Sequence, residues 1–156
     1  MHSTTEKMEC IVIMPIEKNY DGYETDHFKN VYNTLIKPSV AQAGYHPLRA
    51  DEINSGIIDH YEIINKIVNA PMAVFDLSTW NDRIITGLKI RKSFNKPTIV
   101  LSDIYTPKFF NSDNIKYLEY KKDMNSPVMF YTQLTIAESI KELSEQDGRE
   151  GIKSPN

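Results

Sequence analysis

Polar and aromatic side chains lie at the ends of three short apolar segments of this sequence. They are Pro15, Ile16 and Glu17 after the first segment, Arg49 and Asp51 after the second, and Asp76, Trp80 and Asn81 after the third. If the segments are neighbouring strands, carboxylates, an amide, an arginine and an aromatic ring converge at one place. Such a set predicts a binding site of nucleoside size.

The same residues also have structural interpretations, because polar side chains at strand ends often form hydrogen bonds with backbone groups of turns and helix starts. An exposed pair of opposite charges close in sequence is commonly a local ion pair. The structural alternatives are a turn or helix cap for Asp76, an N-cap for Asn81 or Asp82, an ion pair of Arg49 with Asp51 or Glu52, and a packed loop anchor for Trp80. At the level of sequence both interpretations stay open.

Motifs for common cofactors and metals are absent from the sequence. It contains neither the glycine-rich GxGxxG pattern of dinucleotide sites nor the GxxxxGK[ST] pattern of phosphate-binding loops. His2, His27, His46 and His60 do not have the spacing of a metal site. Cys10 is the single cysteine and lies in an apolar segment, which favours a small core residue. We therefore expect no cofactor and no metal.

Apolar, β-rich segments alternate with helical periods along the chain, and this alternation predicts how the polar residues are positioned. Strands are predicted at 9–15, 44–50, 71–77, 97–102 and, more weakly, 114–120. Helices are predicted at 25–43, 57–69, 82–94 and 133–146. Pro38 is expected to kink or break the first helix and Gly44 to end it. Thr135 and Glu138 have the spacing of a capping box at the start of the last helix.

The alternation predicts a three-layer α/β domain of flavodoxin-like or Rossmann-like type, with a five-stranded parallel sheet in the order 2-1-3-4-5. Consecutive apolar residues in the first, third and fourth strands are typical of strands covered on both faces. One domain is expected over 8–147, with flexible termini at 1–7 and 148–156. Ligands of such sheets bind at the carboxyl ends of strands where the order reverses, here between strands one and three.

Composition narrows the functional classes. The 156 residues fit one domain, and 18 basic against 21 acidic residues give a net charge of −3, which disfavours a general nucleic-acid binder. No apolar run approaches the ~20 residues of a membrane helix, and the first ten residues contain no signal-peptide core, so we expect a cytoplasmic protein without membrane contact.

Lys89, Lys92 and Lys96, with Arg91 beside them, form a stripe typical of a solvated helix face.

Three segments together resemble the nucleoside 2-deoxyribosyltransferase-like family, a relative of TIR-type domains in one Rossmann-like superfamily. They are RADEINSGII at 49–58, DLSTWN at 76–81 and KPTIVLSD at 96–103, and the resemblance covers roughly 9–120. It implies binding of a nucleoside or nucleotide. It also implies a homo-oligomer whose sites are completed by a neighbour, for which Tyr105, Tyr117, Tyr120 and Tyr131 are interface candidates. These tyrosines have an alternative role, covering a sheet edge within one subunit.

The position of the family's catalytic nucleophile differs in this sequence. Enzymes of the family commonly read YELG after the DLT motif, and the glutamate of that segment attacks the anomeric carbon. Aligned without a gap, its tyrosine and glutamate fall on Thr86 and Gly87, and its leucine on Leu88. A glycine supplies no carboxylate to stabilise an oxocarbenium-like transition state. Gly87 either enlarges the pocket or allows a close helix-packing contact.

Three functional interpretations follow. The first is a catalytically degenerate module that binds a nucleoside or nucleotide, as a sensor or an accessory subunit. The second is an active deoxyribosyltransferase or N-glycosidase that uses Asp76, Asp82 or Glu17 as its carboxylate. The third is a TIR-like interaction scaffold without a ligand.

Overall fold

A computed structural model describes residues 8–56, 59–103 and 114–153 of the chain. In this part, five parallel strands form one sheet in the order β2-β1-β3-β4-β5, which confirms the predicted order. In chain order the elements are β1 (Glu9–Ile13), α1 (His27–Val31), a π-helical segment (Tyr32–Ile36), α2 (Lys37–Gln42), β2 (His46–Arg49), a 3-10 helix (Ala50–Gly56), α3 (His60–Asn69), β3 (Met72–Asp76), α4 (Asp82–Ser93), β4 (Thr98–Ser102), β5 (Ile115–Glu119) and α5 (Met129–Lys153).

The central strands are apolar along their whole length because both faces of the sheet are covered. Every residue of β3 and of β4 is buried, and β1 is buried from its second residue onward. The register pairs Val12 of β1 with Val74 of β3, and Val74 with Ile99 of β4. The carboxyl ends of β1, β3 and β4 therefore lie at the same edge of the sheet.

Two helical layers enclose two separate cores, one on each face of the sheet. α1, the π-helical segment, α2 and α5 pack on the face that carries Val12 and Val74. α3 and α4 pack on the opposite face, which carries Ile11 and Phe75. Because side chains alternate along a strand, consecutive residues of β3 serve different layers. This alternation decides which polar side chains can meet.

The first long helix changes its hydrogen-bonding pattern before Pro38 instead of ending there. The π-helical segment immediately precedes α2, in which Pro38 occupies the first turn. Proline lacks an amide hydrogen, so the Thr34 carbonyl loses its α-helical donor. The Gln133 side chain of α5 donates to this carbonyl at 2.6 Å. Gly44 follows the helix with a φ of 92°, as expected for a residue that ends it.

Several helix boundaries differ from the sequence prediction. The second predicted helix begins at His60, and its expected start at Ile57 and Ile58 lies outside the described residues. The capping box at Thr135 is wrong, because α5 begins at Met129 and the Thr135 hydroxyl donates to the Tyr131 carbonyl one turn earlier. α5 also continues to Lys153, so residues 148–153 of the terminus expected to be flexible are helical. The termini 1–7 and 154–156 lie outside the described residues.

Candidate functional site

A cavity of about 490 Å³ opens at the carboxyl edge of the sheet, on the side covered by α3 and α4. It lies beside the end of β1, between the two helices, and so at the reversal of strand order between β1 and β3. Its lining residues are Ile13, Met14, Pro15, Ile16, Glu17, Tyr20, Ala50, His60, Ile63, Ile64, Ile67, Asn81, Asp82, Arg83, Ile84, Thr86, Gly87 and Ile90.

The interior of the cavity is apolar and its mouth is polar. The buried lining residues include Ile13, Ile67 and Ile84. Most of the exposed lining residues are hydrophilic, namely Glu17, His60, Asp82, Arg83 and Thr86. Ile16 and Ile64 are the exposed apolar ones. An apolar interior with a few polar groups at its entrance is typical of small-molecule sites, whose volumes span roughly 300–1,000 Å³.

The loop after β1 forms one wall of the mouth. Pro15 is buried at the end of the strand, whereas Ile16 and Glu17 are exposed. The Glu17 amide donates to the Tyr20 hydroxyl at 3.0 Å, which folds the loop back on itself. This turn holds Ile16, Glu17 and Tyr20 against the cavity.

Asn81 begins α4 as its N-cap while also lining the cavity. Its side-chain oxygen accepts from the amides of Arg83 at 2.8 Å and Ile84 at 3.4 Å. The capping alternative for Asn81 is therefore confirmed. Asp82 occupies the first turn, where its negative charge interacts favourably with the helix dipole. The cap directs the start of α4, and with it Asp82 and Arg83, toward the mouth.

Gly87 is a point of close packing within the cavity wall. A Cβ atom at this position would lie 3.2 Å from Ile67 Cδ1 and 3.3 Å from Phe75 Cε2. These distances are tighter than ordinary carbon contacts, so any larger residue requires its neighbours to shift. The helix-packing interpretation of Gly87 accounts for this contact, and Gly87 also lines the cavity.

Arg49 and Asp51 form a separate cluster that does not line the cavity. The Arg49 guanidinium donates to both carboxylate oxygens of Asp51, at 2.6 and 2.9 Å, and stacks over the Tyr32 ring at 4.8 Å. Glu52 accepts from the Tyr32 hydroxyl and from the Arg49 amide, at 2.9 Å each. The local ion-pair interpretation of Arg49 is confirmed.

Asp76 is fully buried and points to the sheet face opposite the cavity. It lies on the same face of β3 as Val74, which belongs to the core under α5. One carboxylate oxygen accepts from the Ser78 amide at 2.9 Å and the Ser78 hydroxyl at 2.6 Å. The other accepts from the Tyr120 hydroxyl at 2.6 Å. Asp76 therefore caps the turn after β3 and joins it to the end of β5.

Burial dominates the electrostatics of this network. Loss of water raises the pKa of the Asp76 carboxyl to about 6, although the hydrogen bonds from Ser78 and Tyr120 lower it. The pKa of the Tyr120 hydroxyl is also raised, first by burial and then by the Asp76 charge. The network continues to Asp103, whose amide donates to the Ser78 hydroxyl and whose carboxylate accepts from Tyr23, both at 3.0 Å.

Trp80 lies in the short loop between β3 and α4, with a φ of 54° and 43% of its surface exposed. It does not line the cavity. Apart from Trp80, the predicted site residues separate into three places. Pro15, Ile16, Glu17, Asn81 and Gly87 line the cavity, Arg49 and Asp51 form the ion pair, and Asp76 is buried on the other face.

Apart from Gly87, the residues of two helical stripes in the cavity wall are not among the site residues predicted from the sequence. His60, Ile63, Ile64 and Ile67 recur at spacings of three and four on α3, as do Arg83, Thr86, Gly87 and Ile90 on α4. Such spacings mark one face of a helix. Two stripes on helices that flank the same strand would have indicated a shared wall.

No group of three or more His, Cys, Asp or Glu side chains in the described part of the chain is placed to hold a metal ion. Within residues 8–56, 59–103 and 114–153, no helix combines the length and apolar character needed to cross a membrane.

Comparisons with known proteins do not identify a family for this chain. No family model matches the chain, and no curated protein matches it in sequence. The Vibrio vulnificus NanR protein complexed with ManNAc-6P is similar to 92% of this chain, with 8% sequence identity and a TM-score of 0.43. The match covers 51% of that protein, so this chain spans about half its length. A functional assignment therefore rests on the geometry of the cavity.

Proposed function

We propose that this chain is a binding module that holds a nucleoside or nucleotide in the cavity and does not cleave it. The observation that carries the proposal is the cavity of about 490 Å³ between α3 and α4, at the reversal of strand order. Its apolar interior suits a planar base, and polar groups at its mouth suit sugar hydroxyls. The segments that resemble nucleoside 2-deoxyribosyltransferases include Asn81, which lies at this mouth.

Among the described residues, none that lies in the interior of the cavity carries a carboxylate, which supports the proposal that the module does not cleave its ligand. Gly87 occupies the position at which the resembled enzymes have their nucleophile, and the nearby side chains there are Ile67 and Phe75. Asp76 faces the other side of the sheet and accepts from Ser78 and Tyr120. The lining carboxylates are Glu17 and Asp82, both exposed at the mouth.

A thermal-shift and calorimetric screen of nucleosides and their monophosphates tests binding. We expect a rise in melting temperature with at least one of them, because a ligand that binds only the folded state stabilises it. Thr86→Trp places a large ring at the exposed edge of the cavity and should abolish this rise. Lys89→Trp, exposed on the same helix but outside the lining, is the matched control and should preserve it. If no nucleoside or nucleotide binds, the proposed function is wrong.

Chromatography of the same mixtures tests turnover, and we expect no base release above the rate without protein. A lost catalytic carboxylate can cost several kcal/mol of barrier, and each ~1.4 kcal/mol is a tenfold loss in rate. Base release that disappears in Glu17→Gln or Asp82→Asn would instead establish an enzyme with its carboxylate at the mouth. The variant Gly87→Glu tests whether a carboxylate at that position restores base release. The new side chain requires Ile67 and Phe75 to shift.

A further inference from the structure

The charges at the cavity mouth are predominantly negative. Among the described lining residues, Glu17 and Asp82 are exposed carboxylates and Arg83 is the single arginine. None of the described residues that line the cavity is a lysine. A site that receives a phosphate normally offers several cationic side chains or free amides. The side chains at this mouth do not provide such a set.

At the two helix starts near the mouth, side-chain caps already accept from two amides each. A helix N-terminus binds phosphate through amide hydrogens that have no partner in the helix. At the start of α4, the Asn81 side chain already accepts from two of these amides. At the start of α3, the Asp59 side chain accepts from the amides of Tyr61 at 3.0 Å and Glu62 at 3.4 Å. The capping groups thus replace a ligand, and Asp59 also adds a negative charge.

The interior of the cavity gives no alternative place for a phosphate. Its buried part is formed by side chains such as Ile13, Ile67 and Ile84. A doubly charged phosphate would lose its hydration there without any compensating partner, which is far more costly than burying a base. A phosphate on a bound ligand would therefore have to lie at the mouth, close to Glu17 and Asp82.

We infer that Glu17 and Asp82 are specificity-determining residues that exclude phosphorylated ligands from the cavity. This inference rests on the proposed function and narrows it to the unphosphorylated nucleoside. The sugar hydroxyls donate hydrogen bonds to carboxylates, whereas a phosphate has only oxygens that repel them. The same two side chains therefore favour the nucleoside and oppose its 5′-monophosphate.

Calorimetric titration with matched pairs of nucleoside and 5′-monophosphate, such as adenosine with AMP, tests the inference. We expect the monophosphate to bind at least about tenfold more weakly at low ionic strength, through unscreened repulsion. The ratio of the two dissociation constants should shrink toward one in 0.5 M salt, because the Debye length falls to roughly 4 Å. It should shrink in the same way in the double variant Glu17→Gln, Asp82→Asn.

The double variant Glu138→Gln, Glu145→Gln is the matched control. It removes the same number of exposed negative charges from α5, which packs on the other sheet face, and should leave the ratio unchanged. Equal or tighter binding of the monophosphate by the unmodified protein would overturn the inference and leave the proposed function standing. A ratio that persists in Glu17→Gln, Asp82→Asn would overturn the role of these two residues. Failure of both ligands to bind would overturn the proposed function, and the inference with it.

Discussion

The buried network around Asp76 accommodates a proton without losing its hydrogen bonds. The carboxyl contacts Ser78 through one oxygen and Tyr120 through the other, and the two hydroxyls lie 3.1 Å apart. If Asp76 is protonated, it donates to Tyr120, which then donates to Ser78. The residue that the sequence offered as a catalytic candidate thus holds three loops together at the carboxyl edge of the sheet.

Asp76 should make the protein less stable as the pH rises from about 4 to 6. The pKa of its carboxyl is about 6 in the folded chain against an ordinary value of 3.8. Between these values the unfolded chain releases a proton that the folded chain keeps, so the free energy of unfolding falls with rising pH. Above pH 6 both states are deprotonated and the difference is constant. A shift of this size corresponds to roughly 3 kcal/mol.

Urea unfolding of the unmodified protein and of Asp76→Asn, from pH 4 to pH 8, measures this contribution. The side-chain amide introduced by this substitution would fill the same space and donate to Tyr120, so the variant should lose the pH-dependent part alone. Asp21→Asn removes an exposed carboxylate and serves as the control. Parallel stability curves for the unmodified protein and Asp76→Asn across this range would show that Asp76 does not titrate in it.

At the scale of elements, Arg91 joins α3, α4 and the strand that follows. Its side chain is fully buried, so Arg91 is not part of the solvated stripe predicted from Lys89, Lys92 and Lys96. The guanidinium donates to the carbonyls of Ile67 at 3.0 Å, Ala70 at 2.6 Å and Pro97 at 2.8 Å. Two of these carbonyls belong to the end of α3, where a positive charge complements the negative end of the helix dipole. Burial lowers the pKa of Arg91 to about 10.

Replacing Arg91 with methionine should destabilise the fold by roughly 3 kcal/mol or more, because each buried carbonyl left without a donor costs about 1–3 kcal/mol. Urea denaturation at neutral pH measures the change. Lys89→Met, exposed on the same helix, is the control and should shift stability by less than about 0.5 kcal/mol. A loss in Arg91→Met no greater than in this control would mean that the carbonyls find other donors.

At the scale of the whole molecule, an exposed apolar patch lies at the start of α5. It consists of Val128, Phe130 and Tyr131, exposed by 45%, 62% and 67%, and the two rings contact each other edge to face. Of the tyrosines expected at an interface, Tyr120 is buried within its own subunit and Tyr105 lies outside the described residues. The expected self-association stays a prediction, and this patch is where we place the contact.

Light scattering during size exclusion should give a mass above the 18.0 kDa of one chain, with the oligomer weakening on dilution. Phe130→Ser with Tyr131→Ser should return the mass of a monomer, since aromatic side chains dominate the energetics of interfaces. Tyr61→Ser, which removes a ring that is 90% exposed on α3, is the control. A mass of one chain at all concentrations would contradict the prediction.

The sequence by itself determined the order of the elements and of the strands. Consecutive apolar residues in β1, β3 and β4 can all be buried only if helices cover both faces of the sheet. Crossovers of helical length make such strands parallel. Side-chain contacts could also be predicted where both partners are close in sequence. The N-cap at Asn81 and the ion pair of Arg49 with Asp51 are of this kind, because a few residues of chain settle each contact.

The tertiary structure alone decided which side chains that are distant in sequence lie close together in the fold. Asp76 is the last residue of β3 and Gly87 lies eleven residues later in α4. The two-residue period of the strand turns Asp76 toward α5, whereas Gly87 packs against Phe75 on the other face. Arg91 resembles its basic neighbours in sequence, yet it is buried where three carbonyls from two segments, the end of α3 and the residue before β4, converge on it. Such contacts depend on the packing of whole elements, which the types and spacing of residues do not encode locally.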